Sequence, residues 1–199
     1  MDTRDMWIEK GYEHFGLYGP ERLSIKLIAE ENDIARTSFN YYFSNKEEFC
    51  DELIDKHYDL IHQFCDAGKL HCKKYLPDLH ILILAFPSGL HFMKQLFNHR
   101  HNDKFNDAFV KCNEVVEREF ALRLFMDYYK LPLTVKESAH LHASMTDTWY
   151  SRLDMNDLKL EKLTNSAEEI MQTILELMAK SHSLNSFSKV SIPTFRDLT

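Results

Sequence analysis

The sequence is poor in the residues that interrupt helices. Its 199 residues include only five glycines and five prolines, whereas folds built from strands and tight turns use more of both. No apolar run reaches the ~20 residues that a membrane-spanning helix needs. The polar start, residues 1–5, does not have the pattern of a signal peptide. We therefore expect an all-α protein of the cytoplasm, with no membrane segment.

Cysteine and histidine do not occur in the spacings that mark disulfides or metal sites. Four cysteines without paired spacing predict reduced, buried thiols: Cys50, Cys65, Cys72 and Cys112. Two histidine pairs are two residues apart, which turns their rings ~200° apart on a helix: His99 with His101, and His140 with His142. His62 and Cys65 could share an ion, but one pair is not a site. We expect no metal and no cofactor.

Motifs of common enzyme classes are also missing. The chain has no glycine-rich phosphate loop, no GxSxG sequence and no HExxH sequence, which are the motifs that position a phosphate, a serine nucleophile or a zinc ion. The sequence therefore predicts a protein that is not an enzyme.

Apolar periodicity and capping residues predict about nine helices. The first covers about 2–15. Ser24 is a suitable N-cap for the second, which ends at Asn32 and Asp33, and the third covers 36–43. A capping box at 44–47 starts the fourth, which we expect to end at Gly68. The later helices are predicted at about 76–85, 89–99, 103–130, 134–153 and from 166, followed by a loose tail from about 183.

Residues 24–46 predict a helix-turn-helix. Two short helices separated by a tight turn would pack through Ile28, Ala29, Ile34 and Phe39, with the small Ala29 at the crossing. If Phe39 and its neighbours Tyr42 and Phe43 face the core, the 100° step per residue turns other side chains of the third helix outward. Those residues carry groups that hydrogen bond to base edges and phosphates: Arg36, Thr37, Ser38, Asn40 and Tyr41. Ser24 and Lys46 begin the neighbouring helices, where phosphates are favoured.

This stretch resembles the TetR family of regulators. The resemblance covers about residues 5–55 and rests on Ile28-Ala29, the turn, Tyr42-Phe43 and the run from Lys46 to Phe49. It implies a DNA-binding domain at 1–48 and a helical effector-binding and dimerisation domain at 49–199. It also implies a homodimer through the last two helices, and repression of a double-stranded operator that a small molecule releases. The residues matching the family's DNA contacts are Lys26, Arg36, Thr37, Ser38, Asn40, Tyr41 and Lys46.

The aromatic middle of the chain has two interpretations. An effector cavity would use a set of aromatic and weakly polar residues: His91, Phe92, Phe109, Cys112, His142 and Trp149. A filled core would use the same residues, and the sequence does not separate the two. A cavity here would admit a largely apolar ligand.

The charge distribution leaves an alternative function open. Residues 1–55 carry six basic and thirteen acidic side chains, which is the whole net charge of −7. Such a domain repels DNA at long range, and Asp33 occupies a position where the family usually has glycine. The alternative is a ligand-binding or protein-interaction module of the same fold that has lost DNA binding. A positive face around Arg36, Thr37 and Lys46 would favour the regulator.

Overall fold

The computed structural model describes the backbone of residues 2–187 and the side chains of residues 2–180, and within that range it contains helices and no strand. Ten α-helices follow one another along the chain: α1 (Thr3–Tyr18), α2 (Ile25–Glu31), α3 (Phe39–Tyr42), α4 (Lys46–His71), α5 (Asp78–Ala85), α6 (Pro87–Asn98), α7 (Asp103–Val116), α8 (Leu122–Tyr129), α9 (Val135–Arg152) and α10 (Leu160–Phe187). The π-helical turn Glu117–Ala121 joins α7 to α8 without a break, so the described chain has nine helical rods, as predicted. Each helix in this range is too short or too polar to cross a lipid bilayer.

The turn after α2 forms as its sequence predicts. Ser24 caps the start of the helix, because its Oγ accepts the backbone N–H of Leu27 at 3.3 Å. At the other end, Asp33 adopts the left-handed conformation with φ of 52°. This lets the N–H of Ile34 reach the carbonyl of Ala29 at 3.0 Å, which closes the helix end. Ile34 is buried beside the turn.

The third helix is less regular than predicted. Its first turn, Arg36–Ser38, is a 3-10 helix, and only Phe39–Tyr42 is α-helical. The capping box before α4 is also displaced by one residue. Asn45, and not Ser44, caps this helix by accepting the N–H of Glu48 at 2.9 Å. The carboxylate of Glu48 in turn accepts the N–H of Ser44 at 2.7 Å.

Two helix ends predicted from the sequence are wrong. Gly68 lies inside α4, which continues to His71. A Cβ at Gly68 would lie 2.4 Å from Cζ of Phe120, so the glycine serves close packing against the π-helical turn. Helix α10 begins at Leu160 and not near Ser166, because Leu163 and Ala167 are buried and extend its apolar face. The loose tail predicted from about 183 starts too early, since α10 continues to Phe187; the rest of the predicted tail lies outside the described residues.

Helix α1 fastens the amino-terminal helices to the rest of the chain. A Cβ at Gly11 would lie 2.2 Å from Cζ of Phe49 on α4. At Gly16 it would lie 3.2 Å from Cβ of His91 and 3.4 Å from the backbone nitrogen of Phe92 on α6. Gln95 of α6 also donates to the carbonyl of Gly16 at 3.2 Å. The helix therefore contacts α4 on one side and α6 on the other.

The backbone of Asp33 yields a prediction about stability. The left-handed conformation is about 1 kcal/mol less favourable for an L-residue with a Cβ, whereas glycine adopts it without this cost. We expect Asp33→Gly to raise the free energy of unfolding by about 0.5–1 kcal/mol and Asp33→Val to lower it. Urea denaturation measures both changes. Lys130→Gly, at the other positive φ of 49°, is the matched control and should also stabilise the protein. A loss of stability in Asp33→Gly would contradict this interpretation.

Candidate nucleic-acid interface and ligand cavity

A cluster of aromatic rings holds the third helix in place. Trp7 of α1 is fully buried and packs edge-on against Phe39 and Phe49, with ring centroids 5.3 and 6.4 Å away. Phe43 also packs against Phe39 and Phe49, at 5.1 and 4.8 Å. The Nε1–H of Trp7 donates to Oγ of Ser38 at 3.0 Å, and that hydroxyl donates to the carbonyl of Ala35 at 2.7 Å. Ser38 therefore anchors the helix through a hydroxyl engaged inside the domain.

The anchored helix exposes most of the residues expected to touch DNA. Arg36, Thr37, Asn40, Tyr41 and Lys46 are all exposed, and Tyr41 is 82% accessible. Two other expected contacts are already engaged within α2. Lys26 forms an ion pair with Glu30 at 3.7 Å, and Ser24 is partly buried and caps the helix.

Ion pairs offset much of the acidity of this domain. Several pairs lie on α1 and α4: Arg4–Glu52 at 2.6 Å, Lys10–Glu13 at 2.9 Å, Lys104–Asp51 at 2.7 Å, Lys104–Glu47 at 3.6 Å, and Lys56–Glu9. Lys56 and Lys104 lie outside residues 1–55 and contribute two positive charges from the rest of the protein. Across the described residues, neither Arg36 nor Lys46 has an acidic partner within salt-bridge distance. Their charges are thus available to a ligand, although Glu31 and Asp33 are exposed nearby at the end of α2.

A second site is a cavity of about 300 Å³ inside the larger bundle. It is enclosed by α4, α5, α6, α7, α9 and α10, together with the π-helical turn. Its wall is mainly aliphatic and aromatic with a few histidine, amide and hydroxyl side chains, and no aspartate, glutamate, lysine or arginine lines it. Ala85, Pro87 and Ser88 line the cavity and are also exposed, so it reaches solvent at the junction of α5 and α6. The volume and lining are those of a site for a small, mainly apolar molecule.

Two of the six residues expected from the sequence line this cavity. His142 donates from Nδ1 to Oε1 of Glu117 at 3.2 Å, and Trp149 donates from Nε1 to the carbonyl of Leu163 at 3.1 Å. The other four lie elsewhere. Phe92, Phe109 and Cys112 are buried in the core, and His91 is partly buried on α6, where its Cβ lies beside Gly16.

Sequence reasoning missed two histidines that line the cavity. His57 is fully buried, and its Nδ1 lies 2.7 Å from the hydroxyl of Tyr12. His80 stacks on Trp149 with centroids 5.3 Å apart and bonds through Nδ1 to Oγ1 of Thr164 at 3.2 Å. A signal for His57 was present, since it falls between Leu53 and Ile61 at intervals of four on the buried stripe of α4. His80 lies in an apolar run that gave no such signal.

The thiols and the buried histidines are uncharged groups in this environment. All four cysteines are buried and free. Burial raises the pKa of Cys65 to about 11 and that of Cys112 to about 12, so neither carries a reactive thiolate near neutral pH. Burial also lowers the pKa of His57 to about 3 and that of His80 to about 4. In the described part of the chain, no three potential metal ligands are grouped to hold an ion.

The fold and the exposed third helix define a helix-turn-helix protein, and comparison with known proteins specifies the family. Residues 8–53 match the sequence model described as "Bacterial regulatory proteins, tetR family". No curated protein matches this sequence. A solved structure, a transcriptional regulator of the TerR/AcrR family from Aquifex aeolicus VF5, superposes with a TM-score of 0.57 at 17% identity, covering 87% of this chain and 99% of that one. Residues 8–53 are thus similar to the amino-terminal domain of TetR-family regulators, and 87% of the chain shares the fold of this solved structure.

The buried histidines generate a prediction about pH. The pKa values of His57 and His80 in the folded state are about 3 and 4, below the ~6.5 of histidine in an unfolded chain. The stability that these neutral rings allow is therefore fully present above about pH 6.5 and is lost as the pH falls toward the folded-state pKa values. Between about pH 7 and pH 5.5, we expect each histidine to remove about 1 kcal/mol from the free energy of unfolding. Urea denaturation at the two pH values measures the loss.

A double variant provides the control for this effect. Tyr12→Phe combined with His57→Phe removes both partners of one hydrogen bond and leaves no buried polar group unpaired. The loss of stability between the two pH values should then shrink by about 1 kcal/mol. An unchanged loss would show that His57 is not held neutral in the folded protein.

Proposed function

We propose that this protein is a sequence-specific DNA-binding transcriptional regulator that acts in the cytoplasm, without enzymatic activity. The observation that carries the proposal is the exposed face of Arg36, Thr37, Asn40 and Tyr41, held rigidly by the aromatic cluster behind it. Arginine can bond to guanine and asparagine to adenine in the major groove. The tyrosine hydroxyl and the ammonium of Lys46 are suited to phosphates.

The charge distribution supports selective binding over tight non-specific binding. The cations Arg36 and Lys46 are unpaired among the described residues and lie at the tip of the module, whereas five of the thirteen acidic residues of 1–55 are paired on α1 and α4. Contacts to phosphates supply most sequence-independent affinity, and a net negative domain limits them. We therefore infer that base contacts contribute a large share of the binding energy, and that binding weakens with salt in proportion to the phosphate contacts that form.

We further propose that two copies assemble through α9 and α10. Part of the apolar surface of α9 and α10 is used inside the chain, since Met145, Trp149 and Ile170 are buried. The outer edge of α10 remains apolar, because Leu177 is 61% exposed and Ile174 is only partly covered. A symmetric contact between two copies would bury this edge and would space two recognition helices for successive major grooves.

The cavity supports regulation by a small molecule. We infer that an effector binds among α4 to α10 and releases the operator, so that the protein acts as a repressor. A ligand that binds one spacing of the dimer more tightly than the other shifts the population between them. Few contacts separate the cavity from the proposed DNA-binding helices, since His57 of the cavity wall bonds to Tyr12 of α1.

The DNA proposal is tested by selection from a random duplex library, followed by titration of the selected site. We expect an inverted repeat. Arg36→Ala and Thr37→Ala should each weaken binding ~5-fold to 100-fold, because each removes a contact to a base edge. Arg123→Ala, an exposed arginine on α8, is the control and should leave affinity unchanged. If no sequence is enriched at low salt, the alternative stands: a TetR-like module that binds ligands or proteins and not DNA.

The dimer proposal is tested with a pair of exposed leucines. Leu177→Glu should convert the dimer to monomer in sedimentation at micromolar concentration, because it places a charge in an apolar contact. Leu70→Glu alters a similarly exposed residue, 66% accessible, at the end of α4, and should leave the dimer intact. A wild-type protein that sediments as a monomer would overturn the proposal.

A further inference from the structure

Three buried histidines line the cavity in the same manner. His57, His80 and His142 are each less than 8% exposed, and each bonds to another side chain through Nδ1. Nε2 of His57 is buried without a hydrogen-bond partner among the described residues, and the hydrogen bonds of His80 and His142 in the same part of the chain use Nδ1 and leave Nε2 open. Buried polar atoms are ordinarily paired. The cavity wall thus carries hydrogen-bonding capacity that the protein itself does not use.

The partner of His142 determines which role its free nitrogen plays. Nδ1 lies 3.2 Å from Oε1 of Glu117, and a carboxylate only accepts hydrogen bonds. Nδ1 must therefore carry the hydrogen. In the neutral ring the other nitrogen then has a lone pair, so Nε2 of His142 accepts a hydrogen bond from whatever occupies the cavity.

The partner of His57 imposes the opposite role. The hydroxyl of Tyr12 has Nδ1 of His57, 2.7 Å away, as its hydrogen-bond partner in the described chain. If the hydroxyl donates to Nδ1, the hydroxyl hydrogen of Tyr12 and the lone pair on Nδ1 are both used in this hydrogen bond. Nε2 of His57 then carries the hydrogen and is a donor without an acceptor. The tautomer of His80 is not fixed in this way, because its hydrogen bond is only partly buried and the hydroxyl of Thr164 can also bond to water.

The wall also restricts the charge of the ligand. No aspartate, glutamate, lysine or arginine lines the cavity, so a charged ligand would lose its hydration without gaining a counter-charge from one of these residues. Lys94, the buried cation of α6, donates to the carbonyl of Tyr150 at 2.6 Å and is not among the lining residues. Apart from Ser88, Asn113 and Thr146, the remaining wall is aliphatic and aromatic, which favours a largely apolar body.

We propose that the cavity binds an uncharged, largely apolar molecule that presents a carbonyl or ether oxygen to Nε2 of His57 and a hydroxyl group to Nε2 of His142. This assignment rests on the effector role proposed above and names the class of ligand. The donor on His57 and the acceptor on His142 would orient the molecule along one direction in the cavity.

Four small aromatic probes of similar shape test the proposal by calorimetric titration at about pH 8, where histidine is ordinarily neutral. Ethylbenzene has no polar group, acetophenone adds a carbonyl, 4-ethylphenol adds a hydroxyl, and 4-hydroxyacetophenone has both. A polar atom that finds its partner improves affinity, whereas an unpaired one lowers it. We expect acetophenone and 4-ethylphenol to bind ~3-fold to 10-fold more tightly than ethylbenzene.

Variants of the Tyr12–His57 pair test whether the carbonyl group of the probe bonds to His57. Tyr12→Phe combined with His57→Phe should reverse the order of acetophenone and ethylbenzene while 4-ethylphenol keeps its advantage. Tyr12→Phe alone lets the ring of His57 take either tautomer, so it should reduce the preference for the ketone without abolishing it. Tyr129→Phe removes a buried hydroxyl that has no partner and does not line the cavity, and it should leave all four affinities in the same order.

The outcomes separate this assignment from the effector proposal. If none of the four probes binds wild-type protein, the ligand cavity itself is disproved, and this inference falls with it. If all four bind but ethylbenzene binds as tightly as the polar probes, the cavity stands and the roles of the histidines are wrong. A ketone preference that survives the loss of His57 would also overturn the assignment.

Discussion

The hydrogen bond between Tyr12 and His57 lies where three helices of the protein meet. Tyr12 belongs to α1, His57 to α4, and both rings stack on Phe92 of α6, with centroids 4.5 and 4.6 Å apart. Phe15 packs on the same Phe92 at 4.4 Å. Because interiors this closely packed do not deform continuously, a shift of α4 or α6 moves α1 as well. The amino-terminal helices are thus joined to the cavity through a core and not through a flexible linker.

Helix α1 therefore makes two sets of contacts, and different residues along the helix make each set. The hydrogen bond between Trp7 and Ser38 fixes residues 36–42. Tyr12 and Phe15 instead pack on Phe92 of α6, one of the helices that enclose the cavity. Five residues of a helix span about 7.5 Å, so Trp7 and Tyr12 are little more than one turn apart. Under the proposed function, a ligand that bonds to His57 acts within two side-chain contacts of the DNA-facing segment.

Local signals in the sequence predicted the amino-terminal fold well. Ser24, Asp33 and the apolar pattern around Phe39 depend on neighbours a few residues away, and they form the helix-turn-helix as expected. The cavity was predicted less well, since Phe92 and Phe109 proved to be core residues and His57 and His80 were not identified. Which side chains face a void depends on how six helices cross. Gly68, for example, resembles a helix stop until Phe120 is seen to pack against it.

The proposed link between the cavity and DNA depends most directly on which ring nitrogen of His57 carries the hydrogen. The position of that hydrogen can be read by nuclear magnetic resonance from the nitrogen shifts of protein labelled at histidine with ¹⁵N. A hydrogen on Nε2 and a lone pair on Nδ1, retained at about pH 6, is the predicted state, because burial holds the ring neutral and Tyr12 donates to Nδ1. A ring protonated on both nitrogens, or one with its hydrogen on Nδ1, would contradict the account.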